Sequence, residues 1–259
     1  MPREIDFTAI TAYVEKRRKT TGGYGATPRL PATIEDTFGA VAIADALAIL
    51  APGTPLVHPP AEDEALHHYL QEKTRQGWPG LRTTWQLLHT GKRLGLEMDR
   101  EHAREYVLRS RAEGDDLYTA YHTARITNEL GLPAIPGEEP GAVTLPARPT
   151  VTEVRMYLQL QKIAGIAPAS RHGDLIGWLQ RCQNGDGGFG FFPTTTSFIE
   201  NCHHALAALQ LLDATPSAPE TARQFIISCQ TGAGGFGRNL RAAPFLDATR
   251  HALAALRLL

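Results

Sequence analysis

Neither sign of charge is in excess in this chain: 26 basic residues meet 27 acidic ones, for a net charge of −1. The chain as a whole therefore has no pull on a polyanion, and no nucleic-acid partner is expected. No apolar run reaches the ~18 residues of a membrane span, so no spanning segment is expected. The first residues, Met1-Pro2-Arg3-Glu4-Ile5-Asp6, lack the apolar stretch of a secretory signal. Cysteine occurs three times, an odd count that argues against a disulfide framework. Together these features point to a cytoplasmic protein. Strand-like runs of Val, Ile and Thr are missing, as are nucleotide-type Gly-rich phosphate loops, paired Cys-x-x-Cys and His-Glu-x-x-His.

What the chain does have is an internal repeat. Cys182-Gln183 and Gly187-Gly188-Phe189-Gly190 recur 47 residues later as Cys229-Gln230 and Gly234-Gly235-Phe236-Gly237. His204-Ala205-Leu206-Ala207-Ala208-Leu209 recurs as His251-Ala252-Leu253-Ala254-Ala255-Leu256. A third copy of the turn is Gly22-Gly23-Tyr24-Gly25. In all three an acid follows the aromatic ring by 11 residues, at Glu35, Glu200 and Asp247. A fixed period of this size signals stacked supersecondary units that bury apolar faces only against one another.

Ala- and Leu-rich segments of helical period fall at 33–50, 82–95, 117–132, 151–165, 198–212 and 245–258. Preceding partner helices fit 4–19, 62–76, 99–112, 171–183 and 219–230. Glu153 shares the 47-residue step with Glu200 and Asp247, which places 151–165 in the series. Its partner is replaced by a Pro/Gly-rich stretch, part of a loop at 133–149. The expected fold is all-α: residues 1–259 as one domain of about six helical hairpins closed into a ring. Parallel inner helices would then gather their N-terminal turns at one end of a central cavity, which suits an anion such as diphosphate.

The Cys-Gln-x-x-x-x-Gly-Gly-Phe-Gly strings at 182–190 and 229–237 resemble the repeat of the α/α toroids of prenyltransferase β-subunits and squalene-type terpene cyclases. That resemblance implies an apolar cavity for an isoprenoid substrate and, in protein prenyltransferases, a separate partner subunit. It also implies zinc, held by an Asp-x-Cys pair and a later histidine. Glu200-Asn201-Cys202 matches the pair with Glu for Asp. The later position carries Thr249, with His251 two residues on, so Glu200, Cys202 and His251 are the metal candidates. Glu153-Val154-Arg155-Met156-Tyr157 resembles a diphosphate-binding Asp-x-Arg-x-x-Tyr stretch. Acid-initiated cyclases instead place Asp-x-Asp-Asp at an inner-helix start, and two degenerate versions occur here. One contains Glu35 and Asp36, the other Asp115, as candidate general acids.

Repeated residues are better explained as scaffold: the acids as helix caps, the cysteines as packing, His204 and His251 as structural. Departures from the repeat at inner-helix starts are the stronger site candidates. These are Arg82, Trp85, Tyr118, Tyr121, His122, Arg155, Tyr157 and Arg250 for substrate, and His203 for catalysis. The leading reading is an isoprenoid-diphosphate transferase. Its alternatives are an acid-initiated cyclase and a non-catalytic toroid that binds a lipid, a protein or a second copy of itself.

Overall fold

Ala- and Leu-rich segments become the inner helices of a ring in the computed structural model, which describes residues 4–112, 116–132, 143–166 and 172–259. The inner helices are α2 (Ile34–Leu50), α4 (Leu81–Arg93), α6 (Leu117–Leu130), α7 (Val151–Ile163), α9 (Ile199–Leu211) and α11 (Leu246–Leu256). The outer helices are α1 (Phe7–Glu15), α3 (Glu64–Gln76), α5 (Arg100–Ala112), α8 (His172–Arg181) and α10 (Pro219–Ser228). Among the described residues there is no β-strand. Each inner helix packs on two others in the cycle α2–α4–α6–α7–α9–α11, and α11 returns to α2, so the ring is closed.

Closure depends on the glycine turns. Gly22, Gly187 and Gly234 hold φ of +92°, +89° and +99°, a region open to glycine without strain. A Cβ on Gly22 would collide with the Ala65 carbonyl oxygen of α3, one on Gly187 with that of Thr221 in α10, and one on Gly234 with that of Ala9 in α1. Each turn thus presses its backbone against the next outer helix, and the last turn meets the first helix of the chain. Polar clasps lock the same seams. Gln183 exchanges two hydrogen bonds with the Ala218 backbone, and Gln230 does so with Asp6. In the first repeat a bidentate Arg18–Asp63 ion pair (2.6 and 2.8 Å) does this work.

The rings of Tyr24, Phe189 and Phe236 are fully buried in these seams. Thirteen residues after each ring stands Thr37, Cys202 or Thr249. Thr37 Oγ1 and Thr249 Oγ1 accept the backbone N–H of Tyr24 and Phe236 at 3.0 and 2.9 Å. The Phe189 backbone N–H bonds to the Cys202 thiol in the same way. One small polar side chain thereby ties each turn to its inner helix.

The acids of the repeat are not caps. Thr33 caps α2, and the N-cap positions of α9 and α11 are Phe198 and Phe245, which make no side-chain cap bond. Glu35, Glu200 and Asp247 sit one residue into their helices, at the second position. Glu153 is out of step: it is third in α7 and closes a capping box with Thr150. Thr152 therefore occupies the position of Glu200 and Asp247, so α7 joins the ring one residue out of the 47-residue register. Of the loop expected at 133–149, residues 133–142 lie outside the described residues, and 143–149 form no helix.

Candidate functional site

The opening turns of all six inner helices line one cavity of about 260 Å³. The helices therefore point the same way, and their unpaired N-terminal amides gather at this end. The lining follows helical phase. The second, fifth and sixth positions face inward: Arg82, Trp85 and Gln86 on α4; Tyr118, Tyr121 and His122 on α6; Thr152, Arg155 and Met156 on α7. On α9 and α11 the same phase presents Glu200 and His204, then Asp247, Arg250 and His251.

One wall is aromatic and cationic. The Arg125 guanidinium lies 3.2 Å from the Trp85 ring centroid and 5.0 Å from that of Tyr121. Trp85 stacks on His89 at 4.7 Å and meets Phe38 edge-on at 5.4 Å. Burial lowers the Arg125 pKa to about 10. Ring faces stabilise a desolvated cation of this kind. His122 is wedged between the rings of Tyr118 and Tyr121, and neither of its nitrogens has a protein partner. Burial first, then the positive charge of Arg125, lowers its pKa to about 3, so it is neutral at pH 7.

The other wall is a polar chain. Arg250 Nη2 donates to Asp247 Oδ1 and to His251 Nε2, both at 2.6 Å. An arginine only donates, so His251 Nε2 is the acceptor and its proton is on Nδ1. His251 Nδ1 then donates to His203 Nδ1 at 2.7 Å, which leaves the His203 proton on Nε2. Thr152 Oγ1 bonds His204 Nδ1 at 2.6 Å. Burial holds all three imidazoles well below their ordinary pKa, with Arg155 and Arg250 adding to the effect.

Arg155 lines the cavity with few protein partners. Burial lowers its pKa, and its side chain reaches Gln159 Oε1 only through a long hydrogen bond of 3.4 Å. Among the described residues it makes no ion pair. It also borders a second cavity of about 540 Å³ between the later turns of α7, α9 and α11. His203, Ala207, Leu211, Ala254 and Leu258 line that second space. On α9 the Glu200 carboxyl is lifted above its usual range by burial, and its Oε2 has no hydrogen-bond partner.

Several expected site residues lie elsewhere. Glu35 is exposed at the rim, 3.9 Å from Arg82, and so is not the buried proton donor that an acid-initiated cyclase needs. Asp36 bonds Thr33 in the α2 cap. Asp115 lies outside the described residues, while its neighbour Asp116 caps α6. Tyr157 packs on the core and is not part of the lining. The wall is aromatic and charged where an apolar cavity is expected: four arginines and two carboxylates face it. His204 and His251, expected to be structural because they repeat, are both in the lining.

The family comparison agrees with the ring. The family model of the prenyltransferase alpha-alpha toroid domain matches residues 2–86, 151–216 and 196–259. The chain belongs to that family. The unmatched stretch is the sector of α5 and α6, where the glycine turns are also missing. Among solved structures, the chain resembles Candida albicans protein geranylgeranyltransferase-I complexed with GGPP, at 16% identity and a TM-score of 0.34. That alignment covers 70% of this chain and 49% of the other, so the chain spans about half of that protein. No curated protein matches the sequence. Within the alpha-alpha toroid family the zinc motif expected at Glu200-Asn201-Cys202 does not fit here. The Cys202 thiol is fully buried and holds the Phe189 turn, burial raises its pKa far above the ordinary thiol range, and Thr249 serves its own turn. Glu200 lines the cavity and Cys202 does not, so the two side chains of the motif are not turned toward one ion.

Proposed function

We propose that this toroid binds an isoprenoid diphosphate at the mouth of its ring and promotes transfer of the isoprenyl group to an acceptor, with diphosphate as the leaving group. The observation that carries this is Arg155, a partly buried cation in the cavity lining without a carboxylate partner among the described residues. Such a charge is costly unless a ligand supplies the counter-charge. Arg82 and the helix N-termini would complete the anion site, and guanidinium forks match phosphate oxygens. Departure of diphosphate builds negative charge on its oxygens, and preorganised donors lower that barrier. Tyr118 and Phe38 offer ring faces to the first isoprene unit, where positive charge develops. At about 260 Å³ the cavity is small beside typical ligand sites of roughly 300–1,000 Å³. It suits the diphosphate and a short prenyl group, with the second cavity beyond Arg155 as room for a longer tail.

Calorimetric titration with inorganic pyrophosphate and with prenyl diphosphates of increasing length tests this. Wild type should bind, and Arg155→Gln should weaken binding by about 100-fold, the scale of a lost buried charge-assisted contact. Failure of the wild-type chain to bind any of these compounds would refute the reading.

A further inference from the structure

Three histidines meet where the expected zinc motif does not form. One ring nitrogen from each of His203, His204 and His251 lies within 4.8 Å of the others. The ring centroids are 4.9 Å apart for His203–His251, 5.1 Å for His204–His251 and 5.5 Å for His203–His204. We propose that these three side chains form a binding site for a divalent transition ion such as Zn(II), separate from the Glu200-Asn201-Cys202 motif. The site needs no prenyl diphosphate and stands or falls apart from the function above.

The ligand chemistry is suited to such an ion. Neutral imidazole is the form that coordinates, and three imidazoles with an open fourth position is an established zinc arrangement. The 2.7 Å contact between His203 Nδ1 and His251 Nδ1 is bridged by a single proton. Two nitrogens on one tetrahedral zinc, each 2.0–2.1 Å from it, stand about 3.3 Å apart. A small opening of the pair therefore lets a metal ion take the place of that proton.

The surroundings supply what metal-bound imidazoles require of their second nitrogens. Thr152 Oγ1, 2.6 Å from His204 Nδ1, can accept an N–H from it once His204 binds through Nε2. Asp247 Oδ1 stands 3.6 Å from His251 Nε2. When Nδ1 of His251 coordinates, the proton resides on Nε2. Arg250 can then no longer donate there, and Asp247 is placed to receive that proton. Metal binding thus exchanges an arginine–histidine contact for a carboxylate–histidine one. Arg155 opposes a bare dication, and this favours a small anion in the open position.

The test is metal titration of the chelator-stripped full-length chain with Zn(II) or Co(II) alone. One equivalent should bind, and the cobalt form should show the visible absorption of a low-coordinate site. His203→Gln and His251→Gln should each weaken binding by at least ~100-fold, and Asp247→Asn by about 10-fold, as for lost ligands and outer partners. Cys202→Thr should leave it unchanged. Thermal unfolding identifies any variant that does not fold, and the wild-type stoichiometry needs no variant. Absence of a stoichiometric ion in wild type overturns the site. So does binding that survives His203→Gln but is lost in Cys202→Thr.

Discussion

The seams between outer and inner helices and the cavity inside the ring use the same helices for opposite purposes. In the seams the residues recur: Gly22, Gly187 and Gly234 in the turns, Tyr24, Phe189 and Phe236 beneath them, and Thr37, Cys202 and Thr249 as ties. In the cavity the inward fifth position differs almost every time. It is Phe38, Trp85, Tyr121, Arg155 and Arg250 around the ring, while on α9 the fifth residue, His203, lines the second space instead. A seam must satisfy the same close backbone approach at each step, so its residues repeat. A ligand is a single asymmetric object, and the positions that face it are free to diverge. The seams should therefore govern stability and the cavity should govern binding, with little crossover.

The largest break in that comparison should come from Gly234→Ala. The added Cβ meets the Ala9 carbonyl at a backbone already in the positive-φ region. Closure of the ring runs through that contact. We expect a loss of about 3 kcal/mol, with Tm falling by roughly 10 °C in a thermal melt. Limited proteolysis should show α1 released first. Unchanged melting would mean that α1 does not close the ring. Affinity for pyrophosphate, measured below the melt, should stay near wild type.

Much of this division is legible in the sequence. The repeated turns mark the seams, and the six inner and five outer helices fall within a few residues of the expected ranges. The cavity is half legible. Departures from the repeat locate Arg82, Trp85, Tyr118, Tyr121, His122, Arg155 and Arg250, all in the lining. His204 and His251 repeat and yet also line the cavity. A residue can recur because two neighbouring helices contribute to one site, and these two adjoin. Arg125 escapes a search for departures at helix starts, although helical phase points to it: it follows Tyr121 by four positions and His122 by three, on one face. At Cys202 a family motif hides an equivalence to Thr37 and Thr249, which shows once residues are counted from the aromatic ring. The one-residue offset of α7 is masked because Glu153 imitates the repeated acid while serving its own capping box.

Acid should weaken the cavity next. His122, His203, His204 and His251 have folded pKa values below the ordinary value of 6.5. The unfolded chain therefore binds more protons as pH falls through 6.5. Stability is fully present above that pH and is lost below it, by up to about 1.4 kcal/mol per histidine per pH unit. The groups that face them are Arg82, Arg125, Arg155 and Arg250, with Glu200 and Asp247 opposing. Surface His102, raised by its bond to Asp99, changes stability in the reverse sense. Tm should drop steadily from pH 7.5 to 5.5, and His122→Gln should flatten the slope. An equal slope in that variant would remove His122 from the account.

Glu200→Gln should act more weakly and with the opposite sign. Its folded pKa is raised, so the ionised form carries a penalty that grows as pH rises past 4.5. The amide should raise Tm slightly at pH 7, and the difference should disappear near pH 4. An amide variant less stable than wild type at pH 7 would show that the 3.4 Å contact with Arg238 outweighs the cost of burial.

The smallest effect is expected for Cys202→Thr, which sharpens the comparison because it separates the two regions within one helix. The side chains on either side of it, Glu200 before and His203 and His204 after, face the interior, while Cys202 faces the seam. Threonine already performs the same tie at 37 and 249 through its hydroxyl, and that hydroxyl can accept the Phe189 N–H. The two side chains are close in size, so stability should change by no more than about 1 kcal/mol, the range of a near-isosteric substitution. Pyrophosphate affinity should not change at all. A large loss of binding with an intact melt would place the thiol in the cavity and return the Glu-x-Cys motif to the site. An unchanged profile in both measurements means that the residue most suggestive of metal chemistry in the sequence belongs to the scaffold.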